Sequence, residues 1–111
     1  MEKNGLAGST GMLVLSLLRS GDKYGYEMIS QLSLRSEGVF ELKEGTLYPV
    51  LHQLERDGCL ESYSAQAASG RTRKYYHLTS KGLRALEAQE AEYRKITGAV
   101  EQVLRRSLVA E

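Results

Sequence analysis

Apolar residues along this chain fall into helical blocks interrupted by two short alternating runs, and the order of those blocks points to a fold class. Residues 1–9 hold Gly5, Gly8 and Ser9 without periodicity and read as an N-terminal arm. From Met12 to Leu18 nearly every position is apolar. That run is too continuous for a half-exposed helix and far short of the roughly 18 residues that cross a bilayer, so it predicts a buried first helix over about Ser9 to Arg19, ended by Gly21-Asp22. A second helix is expected from about Tyr24 to Leu34, with Gly25, Met28, Ile29 and Leu32 on one face and Gly38 closing it. Val39 to Lys43 then forms an extended connector with Phe40 and Leu42 as core plugs. The third helix is expected over Glu44 to Asp57: Leu47, Val50, Leu51 and Leu54 form its buried stripe, and Thr46, Tyr48, Pro49, His52, Gln53 and Arg56 face outward. A proline within a helix removes a backbone donor and costs about 3 kcal/mol, so Pro49 predicts a tightened or kinked first turn. Gly58 is placed to end the helix.

The periodicity then changes. Leu60 to Gln66 and Arg73 to Leu78 alternate and are rich in tyrosine, which predicts a β-hairpin with its tip at Ala67 to Thr72. Thr79 is a good N-cap for a last helix from Ser80 to about Leu108. Within it Leu86, Tyr93 and Val100 occupy one heptad position, and Gln89, Ile96 and Val103 another, the pattern of a coiled-coil seam. Such a helix spans about 43 Å, more than a domain this small can cover, so its far half needs another partner, and a two-fold copy of itself is the simplest. The fold class is therefore mainly α with a small β-hairpin: a winged helix-turn-helix over residues 10–79, and a C-terminal dimerisation helix over 80–111 with Leu86, Tyr93, Ile96, Val100 and Val103 at its seam.

Composition adds less than distribution. A chain of 111 residues, 41% hydrophobic and 26% charged, is an ordinary single globular domain, and its net charge of +1 is not the strong basic excess of many nucleic-acid binders. Yet from Ser62 to Leu86 no Asp or Glu occurs, while Arg71, Arg73, Lys74, Lys81 and Arg84 do, which favours an anionic partner for that stretch. The single cysteine, Cys59, reads as a buried structural thiol. With His52 and His77 far apart and no Cys/His cluster, neither a metal site nor a catalytic constellation is expected, and no cofactor is implied. The N-terminus lacks the layout of a signal peptide, and a cytoplasmic location without membrane attachment is expected.

Three features together point to double-stranded DNA. The outer face of the third helix carries Thr46, Tyr48, His52 and Gln53, groups able to reach base edges in a major groove. The hairpin carries Arg71, Arg73, Lys74 and Tyr75 beside the sharp Ser69-Gly70 turn, suited to phosphates or a minor groove. A two-fold seam would set two reading helices about 34 Å apart, matching a palindromic operator. The same pattern leaves a second function open, a winged-helix module that binds another protein and not DNA.

The segments YGYEM (Tyr24 to Met28), GTLYPVLHQLERDGCLESY (Gly45 to Tyr63) and RKYYHLTSKG (Arg73 to Gly82) resemble the PadR family of bacterial transcriptional regulators, over roughly Leu13 to Leu86. With one helix after the wing, the chain is similar to the family's short type. The resemblance implies a winged helix-turn-helix dimer that typically represses transcription and, in several members, leaves DNA when a small aromatic or drug-like effector binds. It carries over Thr46, Tyr48 and Pro49 of the third helix, and Arg73, Lys74 and Tyr75 of the wing, as DNA contacts. Two departures stand out. Lys43-Glu44 replaces the serine or asparagine and proline often found before GTLYP, and the chain has no tryptophan to stack a flat ligand on the last helix; Tyr93, at the seam, could take a stacking role, although a tyrosine at a heptad core position more often packs.

Overall fold

The computed structural model describes residues 5–109, with side chains described for 9–108. Its elements run α1 (Gly5–Arg19), β1 (Lys23–Tyr24), α2 (Gly25–Arg35), α3 (Glu44–Arg56), β2 (Leu60–Gln66), β3 (Thr72–Leu78) and α4 (Ser80–Val109). The mainly helical class with a small antiparallel sheet is as expected. Two details differ. Helix α1 starts at Gly5, so the expected arm is already helical there, and residues 1–4 of it, like 110–111 of the last helix, lie outside the described residues. The hairpin also gains a third strand, in the order β1-β3-β2, with Lys23 opposite Tyr76 and Tyr24 opposite Tyr75.

The core forms where the three short helices meet the inner face of the sheet. Val14, Leu15, Leu17 and Leu18 of α1 are buried against Met28 and Leu32 of α2, Leu47 and Leu51 of α3, and Leu60 and Tyr76 of the sheet. Leu42 plugs this core fully and Phe40 partly, as the connector pattern predicts. Lys23 ties off α1: its Nζ donates to the carbonyls of Leu17 at 3.0 Å and Gly21 at 3.2 Å, which have no intrahelical donor. Burial, with Arg35 nearby, pushes the Lys23 pKa below the ordinary lysine range. Tyr24 is the N-cap of α2, its N–H donating to Glu27 Oε1 at 3.1 Å.

Helix α3 runs unbroken past Pro49 to Arg56. The strain goes into its first turn, where the Lys43 carbonyl accepts from both Thr46 N–H at 3.0 Å and Leu47 N–H at 2.9 Å. Pro49 leaves the Gly45 carbonyl without its helical donor, and Gly45 is exposed, so water can serve it. The far end closes with Gly58 at φ +80°: Gly58 N–H donates to the Glu55 carbonyl and Cys59 N–H to the Leu54 carbonyl, the paired bonds of a Schellman motif.

That turn is locked onto the start of α4. Thr79 Oγ1 donates to the Gly58 carbonyl at 2.7 Å, its backbone N–H donates to the Cys59 carbonyl at 3.1 Å, and the same Oγ1 accepts from Gly82 N–H at 3.0 Å as the helix N-cap. Gly82 lies so close to the Cys59 carbonyl that a Cβ there would overlap backbone. Gly82→Ala should therefore destabilise the fold by at least about 2 kcal/mol in urea unfolding. Gly98→Ala, in open space on the same helix, should be neutral or stabilise by up to about 1 kcal/mol. Equal responses would mean that the helix start is not the tight contact described.

Candidate nucleic-acid interface

Helix α3 presents a polar face because its apolar stripe is spent on the core: Leu47 and Leu51 are buried, while Val50 and Leu54 are partly covered. Thr46, Pro49, His52 and Gln53 are exposed on the opposite side. Tyr48 is different. It is only half exposed, and its phenol turns back onto α2, where the hydroxyl fills the space a Cβ on Gly25 would need. Its ring lies 6.3 Å from that of His52. Gln53 is also engaged, donating to Asp57 at 3.0 Å and accepting from Arg56 at 2.8 Å, so Arg56 is held over the end of the same face. At the other end Lys43 is an exposed N-cap whose side chain makes no capping bond.

The hairpin sorts its cations by strand alternation, because successive residues point to opposite faces. Tyr76, 1% exposed, marks the core face, and Lys74 shares it, with Nζ 5.6 Å from the Tyr76 ring centroid and the side chain exposed. Arg73 and Tyr75 lie on the outer face. There Arg73 sits over the Tyr24 ring at 4.9 Å, with its Nε buried and without a hydrogen-bond partner among the described residues. Arg71 is exposed in the tip, which is closed by Ala67 N–H to the Arg71 carbonyl at 2.8 Å and by Gly70 at φ +92°. Of the four wing residues singled out by sequence, Arg71 and Lys74 are therefore exposed, Lys74 with its ammonium over the Tyr76 ring, while Arg73 and Tyr75 are packed among rings.

Tyr75 stands at the centre of that outer face. It stacks on Tyr63 at 5.7 Å with 14° between planes and meets Tyr24 edge-on at 5.4 Å. Tyr63 in turn donates to Asp22 Oδ2 at 2.6 Å, and His77 Nδ1 lies 2.9 Å from Asp22 Oδ1. The hydrogen bond from Tyr63, with a smaller contribution from His77, holds the Asp22 carboxyl below its usual range, and the same bond raises the Tyr63 phenol.

Helix α4 divides in two. Its first turns are docked by Leu86, which is 1% exposed within the protomer's own core, and by Glu90, which accepts from Arg94 at 2.7 Å and from Arg19 of α1 at 3.3 Å. From Ala91 to Leu108 every residue but Thr97 is exposed. Tyr93, Ile96, Val100 and Val103 lie on this bare half, joined by Leu104 and Leu108. Leu86 thus belongs to the core and stands apart from the other four expected seam residues.

Several contributors escaped sequence reasoning. Gly25 had a signal, a glycine between tyrosines on a helical face; Lys43 stood out only as a poor cap; Arg56 was placed on the outer face of the third helix but not among the contacts; and Asp22 was read only as part of a helix stop. Among the described residues no cluster of three or more His, Cys, Asp or Glu could hold a metal, and no helix is long and apolar enough to cross a membrane.

Comparison with known proteins converges on one family. Residues 14–88 match the PadR-like family of transcriptional regulators. An uncharacterised protein of Lysinibacillus sphaericus is 34% identical over 91 residues, 82% of this chain and 84% of that protein. Among solved structures, a PadR family transcription regulator from Clostridium difficile superposes with a TM-score of 0.74 at 37% identity, covering 87% of this chain and 99% of that one. A PadR-like regulator from Bacillus cereus gives 0.79 at 28% identity, covering 89% and 94%. With its matched segment running from the first helix through the wing into α4, this chain belongs to the PadR-like family of transcriptional regulators.

Proposed function

We propose that this regulator is a cytoplasmic homodimeric repressor that binds a palindromic operator and is released by a small aromatic effector. The observation that carries the reading is the pairing of an exposed polar helix face with exposed cations on the adjoining wing. Thr46, Pro49 and His52 of α3 enter the major groove, with Tyr48 shaping that face from behind. Arg71 and Lys74 take phosphates, and Lys43 and Arg56 flank the helix as further cations. Gln53 reads bases only by exchanging its bonds to Asp57 and Arg56. Arg73 and Tyr75 support the wing from its outer face.

The apolar strip of α4 supplies the second copy. Ile96, Val100, Val103 and Leu104 form an open apolar surface with almost no polar lining, and water-exposed side chains of this size call for a partner. An open groove between α1 and α4, lined by Met12, Leu13, Leu86 and Tyr93 with Glu90 and Arg94, lies beside that strip and would accept the effector.

Joint Arg71→Ala and Lys74→Ala substitution should weaken binding to a duplex selected by the wild-type protein by about tenfold or more. It should also flatten the salt dependence by about 0.9 in slope for each phosphate that is no longer neutralised. His52→Ala should change sequence preference at one base position by about 1–3 kcal/mol with the salt slope kept. Retention of full affinity by the wing double variant would sink the role given to Arg71 and Lys74, whereas failure of the wild-type protein to select any duplex would favour the protein-binding alternative.

Val100→Asp should convert the dimer to a monomer in sedimentation, because it puts a carboxylate into an apolar interface, and the monomer should remain folded. Leu86→Ala should instead lower the stability of the protomer itself by about 2–5 kcal/mol, read by thermal unfolding. A dimer that survives Val100→Asp at low concentration would place the seam elsewhere.

A further inference from the structure

Asp22 lies in the turn between α1 and β1, outside every element given a role in DNA binding. Yet its carboxylate spans 41 residues of sequence to Tyr63 on β2 and 55 to His77 on β3. Each oxygen serves a different strand of the wing. We propose that Asp22 is a positioning residue for DNA binding, a clamp that fixes the wing against the helical body through Tyr63 and His77. The inference rests on the DNA-binding reading of the wing.

Three observations carry it. The first is that the backbone pairing on this side of the hairpin is short: among the described residues β1 pairs with β3 only through Lys23 and Tyr24, so side-chain contacts carry much of the attachment. The second is that Asp22 can take up its position because Gly21, at φ +141°, turns the chain sharply after α1. The third is continuity. From Asp22 the outer face runs through Tyr63, Tyr75 and Tyr24 to Arg73, a ring-on-ring row ending one strand residue from the tip loop that carries Arg71. A change at the root is therefore passed along packed groups.

The magnitude is the natural objection, since His77 and Asp22 have side chains 52% and 33% exposed, and isolated surface ion pairs contribute little. Here the carboxylate accepts a charge-assisted bond as short as 2.6 Å and engages two strands at once, which restricts the hairpin's angle more than either bond would alone. Removing one or both bonds should cost a few-fold to about tenfold in affinity, without removing any group that touches DNA.

The test is a double-mutant cycle on the full chain, with a duplex recovered from a random pool by the wild-type protein. Asp22→Ala and Tyr63→Phe should each weaken binding by about threefold to tenfold. Neither should weaken it further in the Arg71→Ala, Lys74→Ala background, because the clamp acts only through those two cations. Asp22→Asn should also return the Tyr63 phenol toward its ordinary titration range in NMR of the ring carbons, a change that a general loss of stability does not produce. Wild-type affinity for both single variants, or full additivity with the wing variant, would overturn the role of Asp22. If Asp22→Ala fails to fold, Tyr63→Phe, which removes one oxygen from a 44% exposed side chain, still gives the answer. No effect of the wing double variant itself would instead refute the role of the wing in DNA binding, on which the inference rests, and the two failures are thereby told apart.

Discussion

The close approach of Gly82 to the carbonyl of Cys59 is the constraint from which the geometry of the molecule follows. It brings together the turn Gly58-Cys59, which links α3 to β2, and the first turn of α4, with Thr79 bonded to Gly58, Cys59 and Gly82. A helix start has free N–H groups, and Thr79 satisfies one of them at Gly82 while binding the carbonyls of the Gly58-Cys59 turn that follows α3. The direction in which α4 leaves the domain is thereby tied to the axis of α3. In a two-fold dimer, the separation of the reading helices is set by this one backbone contact together with the seam.

The wing shows a second economy, made possible by strand alternation. Arg73 and Lys74 are neighbours in sequence and opposite in placement: Lys74 stays exposed on the face shared with the core, while Arg73 lies over Tyr24. The cation–π contact holds the hairpin to β1, where only two residues pair, and the tyrosine row extends that support to Asp22. On the DNA-binding reading the wing then offers fewer unengaged cations than the sequence suggests, from which a shallow salt dependence is expected.

Much of the fold is legible in the sequence because its boundaries are marked by residues with strong local chemistry. Gly58 and Thr79 bracket the wing, and the strands of Leu60–Gln66 and Thr72–Leu78 lie within a residue of the alternating runs. Strand β1 is not legible, since two residues can show no period and the pairing comes from the free edge of β3. Leu86 misleads for a related reason: a heptad pattern reports that a face is covered, not by what, and here the cover changes from the protomer's own core to its surroundings near Glu90. The candidate site is less legible than the fold. The exposed face of α3 follows from periodicity, but the inward turn of Tyr48, the commitment of Arg73 and the clamp at Asp22 are contacts between segments far apart in sequence, which no local pattern encodes.

Division of α4 also bears on how the protein would work. Residues 91 to 108 bury almost nothing within the chain, and a helix of that length with no packing is marginal in water. Its anchor is at one end only, through Leu86 and the bond from Arg19 of α1 to Glu90; that bond and, chiefly, the one from Arg94 one turn along α4 hold the Glu90 carboxyl below its usual range. On the dimer reading, order in the far half is coupled to the second copy. On the dimer reading, assembly completes the helix and fixes the spacing of the two α3 faces in one step, so protein concentration and any ligand held between α1 and α4 act on DNA binding through the same stretch of chain. The domain through Leu86 has its own core and can fold without that step, which separates the ability to recognise a half-site from the ability to hold two.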